Sequence, residues 1–584
     1  MPAQPSVVER MLRAAPHRGH ELSVHTLGHC AVGISGSGDH AETSIATGRG
    51  LVVAVCGRID NLPRLAGYGP APRPETSPAA AVMDGFLRSG TDFVSSLRGA
   101  FAGVVTDGSS LHAFRDHVGF GLLHYREQGS TLYVATEAKQ ILAGAGLPRE
   151  PEPDFISGIL FERFPDQSLC ALRGVRRVPQ GSVLSAAGNA VGRRRFWNPV
   201  RLLETNRLRG GELKEQFDAL MGEAVARVMR ADEVIALSGG IDSPAVAAFA
   251  AREHRRRFGG PLPALSATYP QFPTIDERAA VELVARDLGL ELQLFQPQGR
   301  PFDDLRERVR LHDGPAPSSF ARWRELYHRA RQLGFRTVLS GAHAEFLIDV
   351  GQAHLLSQLV RARRARAIGQ LFRRQRARGV PVGALARQLA GALAPAAIRE
   401  FYTDRRRRKR GFGPDWLDSA QFAYLAPDDV RQLGRWEQAQ VVSLFLPRLA
   451  VEADEIEQAA SGVRVRYPWA DVDLWEFFLS LRAETKYPDV WPHKLLVRQM
   501  LRGLLPDAVL DGREPPPSDA SVMTLVDYGF LRELLHDPPQ PVPGVNYGRL
   551  AERLRREDLP TRDFRYIRML ASIHVFLEEL RRSA

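Results

Sequence analysis

The chain has 584 residues, 44% hydrophobic and 25% charged, with 78 Lys and Arg against 67 Asp and Glu, for a net charge of +11. These proportions fit two or three globular domains and exclude a wholly disordered chain. Three cysteines (Cys30, Cys56, Cys170) are too few for a disulfide framework, no run reaches the ~18–20 apolar residues of a membrane span, and Met1 to Pro16 carries no signal-peptide apolar stretch, so the expected address is the cytoplasm.

From about Val24 to Phe196 the pattern is β-rich. Val52–Val55, Ala100–Val105 and Leu132–Ala135 read as buried strands separated by Gly, Asp and Ser turns. The stretch from Gly67 to Pro78 reads as an exposed loop. Leu213, Phe217, Leu220, Ala224 and Val228 then fall on one helical face. Beyond them strands alternate with helices: Val234–Leu237 with a helix from Ala245, Ala264–Thr268 with Glu277–Leu288, then Thr337–Leu339. That alternation predicts a parallel sheet covered by helices. From about Gly351 the chain reads as mostly helical, and the domains are expected at 1–205 and 206–584. Two arginine runs, at 361–378 and 405–410, read as solvated surface or as a face for an anionic partner. No zinc finger, basic zipper or aromatic-laced RNA motif accompanies them, so nucleic acid is disfavoured.

The strongest chemical signal is Val234-Ile235-Ala236-Leu237-Ser238-Gly239-Gly240-Ile241-Asp242-Ser243-Pro244. An apolar strand enters a glycine turn and leaves into a helix opened by proline. The glycines are expected to turn through φ > 0 and to let the backbone approach a ligand. The amides at the helix start favour an anion, with Ser238 and Ser243 as hydroxyl donors. Asp242 repels a phosphate directly, so its natural role is to hold a Mg²⁺ bridging phosphate oxygens.

This loop resembles the pyrophosphate loop of the ATP pyrophosphatase superfamily, and the whole chain resembles the asparagine synthetase family within it. In the first domain the resemblance rests on His17-Arg18-Gly19, Cys56-Gly57-Arg58-Ile59-Asp60-Asn61, Leu97-Arg98-Gly99-Ala100-Phe101-Ala102, Arg115-Asp116-His117-Val118-Gly119 and Thr136-Glu137-Ala138-Lys139. It implies an N-terminal nucleophile hydrolase-like α+β domain of the type 2 glutamine amidotransferase kind, layered α/β/β/α. It then implies an adenine nucleotide hydrolase-like parallel-sheet synthetase domain with a helical C-terminal part. The first domain is expected to be an inactive glutaminase: Pro2 follows Met1 where the family carries its cysteine nucleophile, and Cys56 and Arg58 occupy the family's glutamine-binding Asn and Glu positions.

In the second domain the resemblance implies an ATP site from Leu237, Ser238, Gly239, Gly240, Asp242, Ser243, Ala267, Ser340 and Gly341, with Mg²⁺ on Asp242 and Glu345. Lys494, in His493-Lys494-Leu495-Leu496-Val497-Arg498, matches the lysine that would stabilise the departing pyrophosphate or the collapsing acyl-adenylate; with Asp242 and Glu345 it makes up the expected catalytic set. Asp276-Glu277 matches a family acidic pair, or serves only the helix dipole. Arg466-Tyr467-Pro468-Trp469-Ala470-Asp471 is expected to line the acceptor pocket. Ala342 stands where asparagine synthetases carry a glutamate and β-lactam synthetases a tyrosine, and alanine transfers no proton. His343, next to it, is of a type that titrates near neutrality and could act as a base, but a lone histidine is more often structural, and that is the reading preferred here.

Together these features resemble the lasso peptide cyclases, which join a core-peptide α-amine to an Asp or Glu side chain through an acyl-adenylate, releasing AMP and pyrophosphate. That resemblance implies a precursor peptide, a leader peptidase and a leader-recognition protein as partners. The alternatives are another asparagine synthetase-like amide or β-lactam synthetase, and a non-catalytic ATP-binding partner protein.

Overall fold

The computed structural model describes residues 3–36, 42–62, 77–162, 166–316, 320–395, 398, 413–422, 433–443, 448–488, 493–512 and 525–583. Pro2, most of the loop expected from Gly67, and the run at 405–410 lie outside them.

The first part is a sandwich of antiparallel strands. Its strands are β1 (Glu21–Leu27), β2 (Cys30–Gly36), β3 (Thr43–Gly48), β4 (Leu51–Ile59), β5 (Gly99–Thr106), β6 (Ser110–Arg115), β7 (His124–Gln128), β8 (Thr131–Ala135), β9 (Arg176–Arg177), β10 (Ser182–Ala187) and β11 (Ala190–Arg195). Six form one sheet in the order β11-β10-β6-β5-β4-β3. Opposite it stand the β1-β2 hairpin and the β8-β7-β9 sheet. Period-2 alternation explains the layering. Val53, Val55 and Phe101 point outward to Val82 of α2 (Pro78–Ser89), while Ala102, Ala113 and Leu184 point inward to Leu123 and Val134. Helices α1 (Pro5–Arg13) and α3 (Ala138–Ala145) cover the far side, which completes the expected α/β/β/α layering.

The second part carries β12 (Glu233–Ala236), β13 (Pro263–Ala267), β14 (Glu291–Phe295), β15 (Thr337–Ser340) and β16 (Arg464–Arg466), all parallel, in the order β14-β13-β12-β15-β16. The chain runs outward from β12 on one side and returns on the other, so the strand order reverses between β12 and β15. Ligands of open parallel sheets bind at the carboxyl ends of strands beside such a switch. Of the amphipathic face read in the sequence, Leu213, Phe217, Ala224 and Val228 are buried along α5 (Gly211–Val228), and Leu220 is half-buried. The strands β14 and β16 are additions to the predicted pattern. Glu291–Phe295 half-buries its apolar residues, and Arg464-Val465-Arg466 is too short and too charged to read as a strand without its partner β15.

The two parts share their interior. Val118, Phe120 and Trp197 of the first belong to the core of the second, and the C-terminal helix Phe564–Ser583 packs back on α4 (Pro153–Leu160). Ion pairs bolt the same seam: Arg177 with Glu452, Arg466 with Glu42, and Arg98 with Asp473 at 2.8 Å. The run at 361–378 is divided in role. Arg364 is tied to Glu204 at 2.7 Å and Glu484 at 2.5 Å, whereas Arg366, Arg373, Arg374 and Arg376 are exposed around a buried Leu371.

Phe217 is fully buried against Phe249, Trp469 and Phe478, with ring centroids 6.1, 6.1 and 6.2 Å away. Phe217→Ala is expected to destabilise the parallel-sheet half by about 3–5 kcal/mol. A lowered denaturant midpoint in tryptophan fluorescence is the measurement.

Candidate active site

The loop Leu237–Ile241 joins the central strand β12 to α6 (Asp242–Phe258). Leu237 extends the ladder, its amide donating to the Leu265 carbonyl at 3.0 Å. Ser243 then turns back on the loop: its Oγ accepts from the Ser238 amide at 2.8 Å and lies 2.9 Å from Ser238 Oγ. The two serines thus latch the loop to itself, a role that replaces part of their expected donation to phosphate. The amides of Gly239 and Gly240 make no hydrogen bond among the described residues and stand at the positive end of α6.

The glycines act by close approach and not by positive φ, since neither Gly239 nor Gly240 has φ > 0. A Cβ on Gly239 would lie 2.9 Å from Cβ of both Glu277 and Ala280 at the start of α7 (Arg278–Leu288). This places Glu277 against the loop, while Asp276 accepts from the Tyr269 amide at 3.2 Å. Ala267 ends β13 beside the loop and is half-buried.

The second loop, after β15, leans on the first. Ser340 Oγ accepts from the Ala342 amide at 3.1 Å, so Ser340 also serves its own turn. A Cβ on Gly341 would fall 2.3 Å from the Ser243 amide nitrogen and 2.6 Å from the Asp242 carbonyl carbon. From the other side, Trp469 Nε1 donates to the Asp242 carbonyl at 3.0 Å and Trp475 Nε1 to the Trp469 carbonyl at 2.8 Å. The segment expected to line an acceptor pocket therefore props up the nucleotide loop. Asp471, at its end, caps the helix Val472–Ser480 and pairs with Arg227 at 2.6 Å.

Lys494 Nζ lies 2.7 Å from Asp242 Oδ2 and 3.7 Å from Asp349 Oδ2, with only 8% of its side chain exposed. Lys494 itself sits at φ 59°, an uncommon region for a lysine. Glu345, on the short helix Ala344–Ile348, is close enough to feel all three charges. Burial raises its carboxyl above the usual range, the Asp242 charge adds to this, and Lys494 opposes it. Asp242, Glu345 and Lys494 are thus gathered at one point, and Asp349 joins them. Sequence reading missed Asp349. The available signal was spacing, since i and i+4 share a helix face and Asp349 follows Glu345 by four.

Three carboxylates against one lysine leave excess negative charge beside amides suited to phosphate. Hard carboxylate oxygens of this kind fit Mg²⁺, which takes one or two carboxylates and fills its octahedron with phosphate oxygens and water. Among the described residues no group of three or more His, Cys, Asp or Glu is placed to hold a metal ion, so a cation here would rest on one or two carboxylates and on phosphate oxygens.

His343 does not titrate near neutrality. It is buried edge-on to Phe120 and Tyr467, at centroid distances of 5.0 and 4.7 Å, and burial pushes its pKa down to about 4. Its imidazole is neutral at pH 7, and Nδ1 has no hydrogen-bond partner among the described residues. The aromatic cage around it draws Phe120 from the first domain, a contact with no local sequence signature.

In the first domain, Arg58 is held by Asp60 at 2.8 Å, and burial raises the Cys56 thiol against the opposing charge of Arg18. Glu137 is surrounded by His17, Arg18 and Lys139; burial alone would raise it, yet Arg18 and Lys139 hold it well below the usual carboxylate range.

A glycine loop at the switch point of a parallel sheet, behind a sandwich of antiparallel strands, is the architecture on which the class of ATP-dependent amide ligases is compared. Comparison with protein-family models gives the family: the asparagine synthase model matches residues 216–559 and the glutamine amidotransferase domain model residues 2–197. The chain belongs to the asparagine synthase family and is an ATP-dependent amide-forming ligase. It is 23% identical over 469 residues to asparagine synthetase [glutamine-hydrolyzing] 3 of Bacillus subtilis, covering 76% of this chain and 70% of that one. It is 32% identical over 220 residues to the carboxyethyl-arginine beta-lactam-synthase of Streptomyces clavuligerus, covering 37% of this chain and 40% of that one. It is 30% identical over 239 residues to amidase chyE of Penicillium rubens, covering 38% and 35%.

Gly341→Ala is expected to displace the Asp242–Ser243 turn, because its new Cβ meets backbone and not a movable side chain. The cost should be about 1–3 kcal/mol of stability, as for other overpacked sites. Loss of ATP–pyrophosphate exchange, with thermal unfolding recorded in parallel, separates the local displacement from global unfolding.

Proposed function

We propose that this ligase is a lasso peptide cyclase, closing a macrolactam between the α-amine of a core peptide and an Asp or Glu side chain of the same peptide. The observation that carries this reading is Ala342. It puts neither a carboxylate nor a phenol at the position where the resembling asparagine and β-lactam synthetases carry one, and its neighbour His343 is buried with a pKa of about 4. An amine already tethered near the activated carboxyl needs less proton-transfer help, since proximity alone is worth about 7–11 kcal/mol. The first domain, residues 1–205, is proposed to be inactive as a glutaminase and 206–584 to be the synthetase. Arg58, bound to Asp60, presents positive charge where the amine of glutamine would need a carboxylate. The partners are then a precursor peptide, a leader peptidase and a leader-recognition protein.

In this mechanism the substrate carboxylate attacks the α-phosphorus of ATP, forming an acyl-adenylate and releasing pyrophosphate. The amine then attacks the acyl carbon, AMP leaves with the carboxyl oxygen, and the peptide loses one water overall. Leu237, Ser238, Gly239, Gly240 and Ser243 shape the phosphate cradle, with Ala267, Ser340 and Gly341 as its walls. Asp242 and Glu345 would hold Mg²⁺, which supplies neutralisation of phosphate charge. Lys494 donates to the developing charge on the α-phosphate once phosphate oxygens replace Asp242 as its partner. The likeness to a beta-lactam-synthase favours, as a second reading, intramolecular amide closure on a small molecule.

Asp242→Asn and Glu345→Gln should each abolish product formation in the folded protein. Lys494→Ala removes one transition-state donor and should cut turnover by about 10²–10³-fold with peptide affinity little changed. Single-turnover kinetics and peptide binding measured on each variant are the check, and near-wild-type turnover at saturating Mg²⁺ would misplace the site.

The reaction itself is read by mass spectrometry of a candidate core peptide with ATP and Mg²⁺, without glutamine. The expected product has lost one water and requires both a free α-amine and one acidic side chain. Asparagine made from aspartate and ammonia by the same chain would overturn the cyclase reading.

A further inference from the structure

Asp349 has no part in the activation of the carboxylate, yet the fold builds a support for it. Its backbone closes the short helix Ala344–Ile348, the Asp349 amide donating to the Glu345 carbonyl at 3.2 Å. The next residue, Val350, offers one carbonyl to two buried donors, Gln440 Nε2 and Tyr487 Oη. Gly351 follows at φ 93°, and a Cβ there would run into Gln440 and Trp436. Behind this turn lies Lys486, 4% exposed, whose ammonium donates to Gln440 Oε1 at 2.5 Å. Burial pushes that ammonium down to about 7, and the charge of Asp349 opposes the push. The carboxylate itself is not sealed in, since 28% of the Asp349 side chain is exposed.

The group facing this carboxylate in the cleft is already an ammonium, Lys494 Nζ at 3.7 Å. The same Nζ is held more closely by Asp242, at 2.7 Å. When phosphate oxygens replace Asp242 and draw Lys494 away, Asp349 keeps its charge and loses that neighbour. Lys486 sets Asp349 apart from Asp242 and Glu345: a positive charge behind a carboxylate repels a doubly charged cation more than it repels an amine.

We propose that Asp349 docks the attacking amine of the substrate, its carboxylate accepting an N–H hydrogen bond in the place that Lys494 vacates. The proposal rests on the cyclase reading for the identity of that amine, the α-amine of the peptide. The carboxylate that Ala342 does not supply then comes from a residue seven positions later, 349 against 342. In the step itself the nitrogen lone pair forms the C–N bond. The C–O bond to AMP breaks with its electron pair going to AMP, and the nitrogen releases one proton to water. Positive charge grows on nitrogen as the bond forms. A braced carboxylate beside it, ionised throughout, stabilises that charge without having to move.

The test uses the full chain, the core peptide that loses water with ATP and Mg²⁺, and its desamino form, with hydrogen in place of the α-amine. With Mg²⁺ and α,β-methylene ATP present, calorimetry should show the wild-type chain binding the free-amine peptide at least tenfold more tightly than the desamino one. Asp349→Asn should bind the two alike. ATP–pyrophosphate exchange with the desamino peptide should stay within threefold of wild type in Asp349→Asn, while ring closure falls by about 10²–10³-fold. Loss of exchange together with closure would make Asp349 part of the metal site and overturn the proposal. Equal affinity of the wild-type chain for the two peptides overturns it as well, and needs no variant to fold. Failure of the cyclase reading looks different: no peptide loses water, and asparagine forms from aspartate and ammonia. The amine is then ammonia, and Asp349→Asn should raise its KM at least tenfold; an unchanged KM overturns the proposal.

Discussion

Asp242 and Asp349 both pair with the single ammonium group of Lys494, Glu345 lies near enough to feel their charges, and the cleft of the synthetase half is arranged around that imbalance. Like charges brought together in a half-buried cleft repel strongly, and burial already pushes Glu345 toward its protonated form. The arrangement is tolerable while Lys494 bridges Asp242 and Asp349. A divalent cation arriving with polyphosphate would relieve the same repulsion and release the lysine toward the phosphate. One ammonium group would then serve both the resting site and the reacting one.

Such a cleft needs rigid backing, and tertiary contacts provide it. Trp469 holds the Asp242 carbonyl from behind, Gly341 presses on the turn from the β15 side, and the Ser238–Ser243 latch closes it internally. None of these contacts touches a reacting atom. They fix the direction of the amides of Gly239 and Gly240 and the position of Asp242, and preorganised dipoles of this kind are worth most when they need not move during reaction.

The strand–loop–helix from Glu233 to Phe258 was legible because every local signal agreed: an apolar strand, paired glycines, then proline inside the first helical turn. The alternation of strands and helices likewise predicted the parallel sheet. What escaped was set by distant partners. Gly239 is constrained by Glu277 and Ala280 and not by its own φ, so the expected positive φ is absent and the packing that requires a glycine there comes from a distant helix. His343 reads as structural more often than as a base, but that Phe120, far back in the chain, encloses it is not legible locally. Asp349 belongs to no motif and is recognisable only once the Ala344–Ile348 segment is known to be helical.

Phe120 also shows what the first domain contributes to the second. Asp116 accepts hydrogen bonds from the amides of Val118 at 3.0 Å, Gly119 at 2.6 Å and Gly121 at 2.6 Å, a turn that leaves little freedom for the backbone. That turn delivers Phe120 against His343 and Tyr467, one residue from Ala342. Arg177 on Glu452 and Arg466 on Glu42 clamp the same seam with buried charge pairs, and breaking one partner of such a pair costs about 3–5 kcal/mol. The first domain therefore forms one wall of the synthetase core. That packing requirement holds whatever chemistry the first domain itself performs, because Phe120 and the two ion pairs belong to the wall and not to a site.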